Sequence, residues 1–193
     1  MRLGILGGTF NPIHLGHLVL AEAAREQHRL DEIWFIPTAL PPHKPATGLL
    51  DGRVRLAMVR LAIRGQRAFR ASDIELRLGG ISYTLRTAQT IHREHPRATL
   101  FLIVGADMLR VRWFGMDELR RLCTFLVAGR PSGPSAAKVP ARRRIAMPSL
   151  EISSSQLRER VRTRQSIRYL VPEPVERYIA RHRLYRAATK QRV

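Results

Sequence analysis

Cysteine is nearly absent from this 193-residue chain, and so is lysine. The single cysteine, Cys123, cannot form an internal disulfide, and no group of cysteine and histidine residues has the spacing of a zinc site. No apolar run reaches the length of a membrane span, and the N-terminal residues lack the pattern of a signal peptide. We therefore expect a protein of the reducing cytoplasm, with no structural metal ion and no membrane partner.

Acidic residues are scarce relative to basic ones, which raises the question of a nucleic-acid partner. Lysine and arginine together number 34 against 15 acidic residues, for a formal net charge of +19. All the basic residues except Lys44, Lys138 and Lys190 are arginines, and they are scattered along nearly every segment. Such a spread is typical of a solvated basic surface that attracts anionic substrates. We therefore do not expect nucleic acid to be the main partner.

Several common catalytic patterns are missing as well. The sequence has no Walker lysine loop, no GxGxxG motif, and no serine, histidine and aspartate in the order of a hydrolase triad. Its acidic residues do not form a catalytic pair. The chemistry is therefore expected to need no nucleophile from the enzyme.

Strand-like and helix-like segments alternate along a chain that is long enough for one domain with a real core. Strands are predicted at residues 3–6, 32–37, 69–77, 99–104, 124–128 and 144–150, and helices at residues 18–29, 53–64, 83–95, 117–122, 154–164 and 174–184. Asp51 and Ser82 are predicted helix caps, and residues 39–50 and 129–140 are predicted loops.

This alternation favours an α/β fold, with one Rossmann-like parallel sheet and helices on both faces. We expect a single domain over residues 1–193, in which residues 186–193 are a frayed basic tail. Ligands of such folds bind at the carboxyl ends of the strands, so polar residues that follow strands are the candidates for a site.

The most informative stretch runs from Gly7 to His17, with the sequence GGTFNPIHLGH, between the first strand and the first helix. Backbone N–H groups and the positive end of the helix dipole converge at such a junction, which makes it a natural anion site. Gly7, Gly8 and Gly16 allow the backbone and a ligand to approach each other. His14 and His17 are three residues apart and share a face, so both imidazoles can donate to charge that develops on a phosphate.

A second polar motif, ISSSQLR at residues 152–158, opens a later predicted helix. Ser153, Ser154 and Ser155 bring hydroxyl groups to a helix N-terminus, where they and free N–H groups can bind phosphate oxygens. Arg158 lies one turn further and offers a planar guanidinium to the same phosphates. Simple helix capping beside an exposed arginine is the alternative interpretation of this motif.

Three further candidate residues follow the second and fourth predicted strands. Lys44 lies in the proline-rich stretch PPHK, where it provides a mobile positive charge for a phosphate. Gly105 and Asp107 follow the strand at residues 99–104. A small residue lets a ribose approach, and a carboxylate can accept hydrogen bonds from both of its hydroxyls.

A third group of candidates consists of Ser82, Tyr83 and Thr84, which open a predicted helix after a glycine pair, together with Trp113 and Arg130. Backbone N–H groups at a helix start can bind a carboxylate. The alternative interpretations are an ordinary capped helix, a half-buried core tryptophan and a solvated arginine.

The stretch GGTFNPIHLGH resembles the HxGH signature of the nucleotidyltransferase superfamily, and its wider pattern looks most like bacterial nicotinate mononucleotide adenylyltransferases. ISSSQLR resembles the superfamily's ISSTxIR signature, with Ser155 in place of threonine and Leu157 in place of isoleucine. PPHK, the SYT segment, the GxD segment and the tryptophan also resemble elements of that family, and the resemblance runs from Leu3 to Tyr185. The chain departs from the family at Asn11, where aspartate is usual, and we expect a structural role for this residue.

The resemblance implies adenylyl transfer from ATP to nicotinate mononucleotide, which gives nicotinate adenine dinucleotide and pyrophosphate in NAD biosynthesis. It implies that His17 donates to the α-phosphate and that His14, Lys44 and Arg158 hold the triphosphate with the serines. The residues implied to bind ATP are Gly7, Gly8, Thr9, Phe10, Gly16, Gly105, Asp107, Ile152, Ser153, Ser154 and Ser155. The residues implied to bind nicotinate mononucleotide are Ser82, Tyr83, Thr84, Trp113 and Arg130.

Further details follow from the same resemblance. Phe10 and Ile152 are expected to shape the adenosine pocket, and Trp113 is expected to stack on the pyridine ring. Mg²⁺ is implied to bridge the phosphates of ATP, with few or no carboxylate ligands from the protein.

Two alternatives remain open. A phosphopantetheine adenylyltransferase shares the HxGH and ISS motifs but lacks the combination of GGTF, PPHK and SYT. A nucleic-acid-binding protein would use the positive charge, and its binding would weaken steeply with salt while no pyrophosphate was formed. The sequence leaves the oligomeric state open, a homo-oligomer included.

Overall fold

Six strands in the described part of the chain form one parallel sheet. The computed structural model describes residues 1–42, 48–106, 108, 111–128 and 139–186. The strands are β1 (Arg2–Gly8), β2 (Glu32–Pro37), β3 (Phe69–Ala71), β4 (Thr99–Gly105), β5 (Cys123–Ala128) and β6 (Arg144–Ile145). They pair in parallel in the order β3-β2-β1-β4-β5-β6, so the predicted parallel sheet is confirmed.

Helices cover both faces of this sheet, as the alternation of strands and helices predicts. They are α1 (Leu15–Gln27), α2 (Gly52–Ala62), α3 (Ile74–Leu78), α4 (Thr84–Glu94), α5 (Met116–Leu122), α6 (Ser154–Arg162) and α7 (Glu173–Arg181). One core cluster joins the sheet to α1, α2, α6 and α7, and the other joins it to α3, α4 and α5. Among the described residues, no helix is long and apolar enough to cross a membrane.

The two central strands, β1 and β4, are covered on both sides. In β4, Leu100, Leu102 and Val104 belong to one core cluster, and Phe101 and Ile103 belong to the other. Successive side chains of a strand point to opposite faces, so a continuous apolar run suits a strand that is buried on both faces.

The prediction of one strand over residues 69–77 is wrong in its second half, where α3 lies instead. Asp73 holds the first turn of α3, because its carbonyl oxygen accepts from the backbone N–H of Arg77 and its carboxylate accepts from the guanidinium, both at 2.9 Å. Glu75 points into the protein, where its carboxyl group accepts from the hydroxyl of Thr87 at 2.8 Å. The alternation that suggested a strand therefore includes a charged residue that is buried.

The strand predicted at residues 144–150 is also wrong in length, because β6 ends at Ile145. The side chain of Gln27 pairs with the main chain of Ala146: its amide nitrogen donates at 2.6 Å, and its amide oxygen accepts at 2.9 Å. The end of α1 thus satisfies main-chain groups that would otherwise need a further strand as a partner.

The order of the strands reverses between β1 and β4, and such a switch point opens a crevice at the carboxyl ends of the strands. Gly8 ends β1 and Gly105 ends β4. The fold therefore brings the segments after these two strands, both predicted to bind ATP, to the same crevice.

Candidate active site

The first candidate residues lie where β1 ends and α1 begins. α1 starts at Leu15 rather than at residue 18, because His14 takes the capping position with extended backbone angles, φ −147° and ψ 172°. The backbone N–H of Leu15 donates to the carbonyl of Leu170 at 3.0 Å, which fixes the start of the helix. Gly16 and His17 therefore belong to the first helical turn, where the N–H of His17 donates to the carbonyl of His14 at 3.0 Å and the N–H of Gly16 has no partner within the described residues. This is the backbone that an anion site requires.

His14 and His17 form a pair with a defined geometry. Their ring centroids are 3.8 Å apart, and the planes of the rings differ by 35°. The backbone N–H of His14 donates to Nδ1 of His17 at 3.2 Å. A backbone N–H is always a donor, so Nδ1 of His17 accepts and the proton of the neutral ring lies on Nε2. The Nε2–H group of His17 is therefore left to donate to a ligand.

Both imidazoles are neutral at pH 7. Burial lowers the pKa of His14 to about 4. Burial and then the neighbouring His14 lower the pKa of His17 well below its usual range. Nδ1 of His14 is buried and has no hydrogen-bond partner among the described residues, a rare state for a buried polar atom. A phosphate beside this pair meets a neutral donor on His17 rather than two positive charges.

Phe10 supports the histidine pair from within the core. Its φ angle is +46°, in the left-handed region that bulky residues rarely occupy. Its side chain is 1% exposed, and its ring meets the ring of His17 edge-on with centroids 5.0 Å apart. The ring therefore supports the imidazole of His17, and the expected contribution of Phe10 to the adenosine pocket stays a prediction.

The glycines of the first motif have different surroundings. A Cβ on Gly8 would lie 3.1 Å from the ring of Phe10, and a Cβ on Gly16 would lie 3.1 Å from the ring of His14. A Cβ on Gly7 would meet nothing within 4 Å. Gly8 and Gly16 therefore make room for side chains of the site, whereas Gly7 borders open space that a ligand can occupy.

Asn11 has the structural role that its departure from the family pattern suggests. Its side chain is buried, and its Nδ2 donates to the carbonyl of Gly48 at 2.9 Å. Its Oδ1 accepts from the hydroxyl of Tyr185 at 2.9 Å and from the backbone N–H of Leu50 at 3.4 Å. An aspartate carboxylate has no N–H group and could not donate to Gly48.

The second motif packs directly on the first, although the two are far apart in the sequence. Nη1 of Arg158 donates to the main-chain carbonyl of Asn11 at 2.9 Å, and Nη2 donates to the hydroxyl of Ser155 at 3.1 Å. The hydroxyl of Ser154 donates to the carbonyl of Pro12 at 2.8 Å. The start of α6 and the start of α1 therefore lie on either side of the segment at residues 11–12.

The serine hydroxyls of α6 are used differently from the prediction. Ser153 caps the helix: its hydroxyl accepts from the backbone N–H of Gln156 at 3.2 Å, and its own N–H donates to the Gln156 side chain at 2.9 Å. Ser154 is bonded to the loop before α1, so the exposed Ser155 is the serine best placed for a ligand. Ile152 and Ser155 line a groove of about 590 Å³ beside α6.

Arg55 was not among the predicted residues, yet it joins three segments of the site. Its side chain is 1% exposed. Nε donates to the carbonyl of Leu50 at 2.8 Å, Nη1 to that of Thr9 at 2.8 Å, and Nη2 to that of Thr38 at 2.7 Å. The segments after β1 and β2 and the segment before α2 are therefore fixed to one buried guanidinium.

A signal for Arg55 exists in the sequence. Arg55, Met58 and Val59 follow the spacing of one helical face, and the two apolar members of that face are fully buried. An arginine in an apolar stripe needs acceptors inside the protein, which is a reason to examine it.

Ser82 does not cap α4, because Tyr83 takes the capping position. The Ser82 hydroxyl instead accepts from the backbone N–H of Ala39 at 2.8 Å, and its own N–H donates to the carbonyl of Leu40 at 2.9 Å. Glu75 is buried nearby, and its burial raises its pKa while hydrogen bonds from Ser82 and from a threonine act in the opposite direction. Ser82 thus fastens the segment after β2 to the start of α4.

The aromatic residues near the end of β4 are partly open to solvent. The indole N–H of Trp113 donates to the carbonyl of Met108 at 3.0 Å, and its ring meets Phe125 edge-on at 5.8 Å. Trp113 is half-buried. The rings of Tyr83 and Phe114 lie 4.8 Å apart, and they are 37% and 64% exposed.

Three predicted residues, Lys44, Asp107 and Arg130, lie outside the described residues, and their roles stay predictions. Gly105, two residues before Asp107, ends β4 at the switch point. Within the ranges that the structure describes, no group of three His, Cys, Asp or Glu side chains is arranged to hold a metal ion.

The parallel sheet with its switch point and the histidine pair at the start of α1 fit the nucleotidyltransferase class that the motifs resemble. Residues 5–160 match the family model described as Cytidylyltransferase-like, which covers most of the chain. A solved structure of the nicotinic acid mononucleotide adenylyltransferase of Plasmodium falciparum, described as complexed with NaAD, matches with a TM-score of 0.78. It is 21% identical and covers 95% of this chain and 97% of that chain, so it supports the fold.

Sequence relatives narrow the class. The chain is 45% identical to a "Probable nicotinate-nucleotide adenylyltransferase" of Synechococcus sp. (strain JA-3-3Ab), over 95% of this chain and 94% of that protein. It is 42% identical to a protein of the same name from Oceanobacillus iheyensis, over 95% of this chain and 96% of that protein. The chain therefore belongs to the nicotinate-nucleotide adenylyltransferase family.

Proposed function

We propose that this protein transfers the adenylyl group of ATP to nicotinate mononucleotide, with nicotinate adenine dinucleotide and pyrophosphate as products. The names of its relatives support this reaction. The observation that carries the proposal is the hydrogen bond from the His14 backbone to Nδ1 of His17. It leaves a neutral Nε2–H donor at the N-terminus of α1, where a phosphate is favoured.

The proposed site has two halves. Residues 7–17 and 152–158 form the ATP half, and residues 82–84 with Trp113 form the acceptor half. His14, His17 and Arg158 bind the phosphates of ATP, and Lys44 adds a further positive charge. Gly105 and Asp107 bind the ribose. The net charge of +19 draws both anionic substrates to the protein.

The reaction is a direct displacement at phosphorus. An oxygen of the acceptor phosphate forms a bond to the α-phosphorus of ATP, and the bond from that phosphorus to the bridging oxygen breaks. The electron pair of the broken bond leaves with pyrophosphate. His17 donates from Nε2 to an α-phosphate oxygen, and the remaining N–H groups of Arg158 donate to the leaving phosphates. Catalysis then consists of positioning and of stabilising the charge that develops.

The acceptor half recognises the nicotinate base. Trp113 stacks on the pyridine ring with the part of its indole that is not buried. N–H groups in the first turn of α4 bind the carboxylate, since they have no partners within the helix. Arg130 lies outside the described residues, and we keep it as a predicted contact to the same substrate.

We propose that Mg²⁺ enters with ATP and is held by phosphate oxygens and water. Mg²⁺ often binds in this way, with one or two protein carboxylates at most. When bound, the ion neutralises part of the phosphate charge. The buried and unpaired Cys123 suits a protein of the reducing cytoplasm, which we propose as its location.

Pyrophosphate release with ATP, Mg²⁺ and a panel of acceptors tests the reaction. We expect release with nicotinate mononucleotide and no release with phosphopantetheine. A preference for phosphopantetheine would contradict the proposal. The absence of release with every acceptor, together with salt-sensitive binding of nucleic acid, would favour the binding-protein alternative.

The choice between the acid and the amide form of the acceptor tests the acceptor half. Backbone N–H groups are donors only, so the amide would leave one of them without a partner at a cost of roughly 1–3 kcal/mol. We expect the specificity constant for nicotinate mononucleotide to exceed that for the nicotinamide form by about tenfold to a hundredfold at saturating ATP. Equal specificity constants for the two acceptors would show that the first turn of α4 does not bind the carboxylate.

A further inference from the structure

Tyr185 reaches the ATP half from the opposite end of the chain. It lies in the turn that follows α7, 174 residues from Asn11, yet its hydroxyl donates to Oδ1 of Asn11 at 2.9 Å. Its φ angle is +62°, a conformation that aromatic residues rarely adopt. Burial raises the pKa of its phenol, so the hydroxyl keeps its proton throughout the physiological range. A donor is therefore always present at Asn11.

Both oxygen atoms of Asn11 accept hydrogen bonds from distant residues. Its side-chain oxygen accepts from Tyr185 at 2.9 Å, and its main-chain oxygen accepts from Nη1 of Arg158 at 2.9 Å. Without the tyrosine hydroxyl, Nδ2 of Asn11 would still donate to the carbonyl of Gly48 at 2.9 Å, but Oδ1 would keep only the N–H of Leu50 at 3.4 Å, which is long for a hydrogen bond. Asn11 thus provides one of the two acceptors that hold the guanidinium of Arg158, and the hydroxyl of Ser155 is the other.

We infer that Tyr185 is a positioning residue for ATP, which acts through Asn11 to hold Arg158 in place relative to His17. The identity of the ligand rests on the proposed function. The hydrogen bonds that carry the inference do not depend on it.

A purely structural role for Tyr185 makes a different prediction. The ring of Tyr185 packs against the core cluster that includes α1 and α7, so the residue also anchors the last described turn. The substitution Tyr185→Phe keeps the ring and removes the hydroxyl alone. Tyr178→Phe is the matched control, because Tyr178 is half-buried on α7 and its hydroxyl has no hydrogen-bond partner within the described ranges.

The primary measurement is equilibrium binding of α,β-methylene-ATP with Mg²⁺, a probe that cannot release pyrophosphate. We expect Tyr185→Phe to weaken binding by about threefold to tenfold, the loss typical of one hydrogen bond. We expect Tyr178→Phe to change binding by less than about 1.5-fold. Unchanged binding by Tyr185→Phe would overturn the inference.

A double-mutant cycle with Arg158→Ala separates positioning from anchoring. If Tyr185 acts through Arg158, then adding Tyr185→Phe to Arg158→Ala changes the dissociation constant by less than about 1.5-fold. An equal loss in the presence and in the absence of Arg158 would show an anchoring role only and would overturn the inference.

Steady-state kinetics give a second readout. We expect Tyr185→Phe to raise KM for ATP while KM for nicotinate mononucleotide stays within about twofold of the wild-type value. A rise in both constants to the same extent would count against a role confined to ATP. If the wild-type protein releases no pyrophosphate with this acceptor, the proposed function fails, and the binding cycle still decides the role of Tyr185.

Discussion

The ATP half and the acceptor half of the site are held in different ways. In the ATP half, hydrogen bonds join residues that are far apart in the sequence, such as Arg158 and Asn11, and burial lowers the pKa of both histidines. In the acceptor half, Tyr83 and Phe114 are 37% and 64% exposed, and their rings contact each other.

We expect from this difference that the ATP half is formed before a ligand arrives and that the acceptor half is completed by its ligand. Donors that are already in place cost no reorganisation when charge develops on the phosphates. Exposed aromatic rings gain from being covered by a planar base. Changes in the ATP half should therefore reduce turnover, ATP binding and stability, and changes in the acceptor half should affect the acceptor alone.

His17→Ala should have the largest effect on catalysis. It removes a donor that is aimed at charge present mainly in the transition state, and the loss of one such donor costs on the order of 10²–10³ in kcat. The dissociation constant for ATP should change far less. The control is His92→Ala, on an exposed position of α4. Unchanged turnover in a folded His17→Ala protein would remove His17 from the mechanism.

Arg55→Met should have the largest effect on stability. It leaves the carbonyl oxygens of Leu50, Thr9 and Thr38 without their donor, so we expect a loss of about 2–4 kcal/mol in the free energy of unfolding by urea. Arg53→Met, an exposed change in the same helix, should cost less than about 0.5 kcal/mol. Similar losses for the two variants would mean that the buried guanidinium does not support the ATP half.

Arg158→Ala should raise KM for ATP more than KM for the acceptor. Hydrogen bonds from a charged group contribute about 1.5–3 kcal/mol, so the expected rise in KM for ATP is about tenfold to a hundredfold. Some turnover should be lost too, because the leaving pyrophosphate gains charge. Arg162→Ala, a neighbour that pairs with Glu159 on the exposed face of α6, is the control. A rise in KM for the acceptor alone would show that Arg158 does not bind ATP.

Trp113→Ala tests the acceptor half. The loss of stacking on a planar base costs roughly 1–3 kcal/mol, so KM for nicotinate mononucleotide should rise by about tenfold or more. KM for ATP should stay within about twofold, since no hydrogen bond links Trp113 to the ATP half in the described parts of the chain. A rise in KM for ATP of the same size would mean that the two halves are not independent.

The last prediction concerns the effect of pH on stability. His14 has a pKa of about 4 in the folded protein and about 6.5 in the unfolded chain. Between these values the unfolded chain binds more protons, so stability should fall as the pH falls from 6.5 towards 4, by up to about 1.4 kcal/mol per pH unit. Urea unfolding at pH 7 and pH 5 measures this. His14→Gln should reduce the difference, and an unchanged difference would show that His14 is not its source.

The parts of the fold that could be predicted are those set by local patterns. The strand predicted at residues 32–37 has the bounds of β2, because a buried apolar run is enough to define it. Asp51 caps α2 as predicted, since its carboxylate accepts from the backbone N–H of Arg53 at 2.7 Å. The two motifs that were expected to share a site meet at residues 11–12.

The parts that could not be predicted depend on partners from elsewhere in the chain. The start of α1 depends on a hydrogen bond to the carbonyl of Leu170, and the sequence around residue 15 contains no signal of that contact. Arg55 and Glu75 are buried because distant carbonyl and hydroxyl groups satisfy them. The hydroxyls of Ser82 and Ser154 bond to distant loops rather than serving the roles expected from their helix positions.

The contacts of Asn11 can form only late in the synthesis of the protein. A ribosome makes residue 11 early, but its partners Arg158 and Tyr185 follow 147 and 174 residues later. A nascent chain that ends after β5 holds both histidines and the two central strands, yet it lacks the arginine and the tyrosine that complete the ATP half. Products of premature termination would therefore be unable to bind ATP as the full chain does, however much of the sheet they had formed.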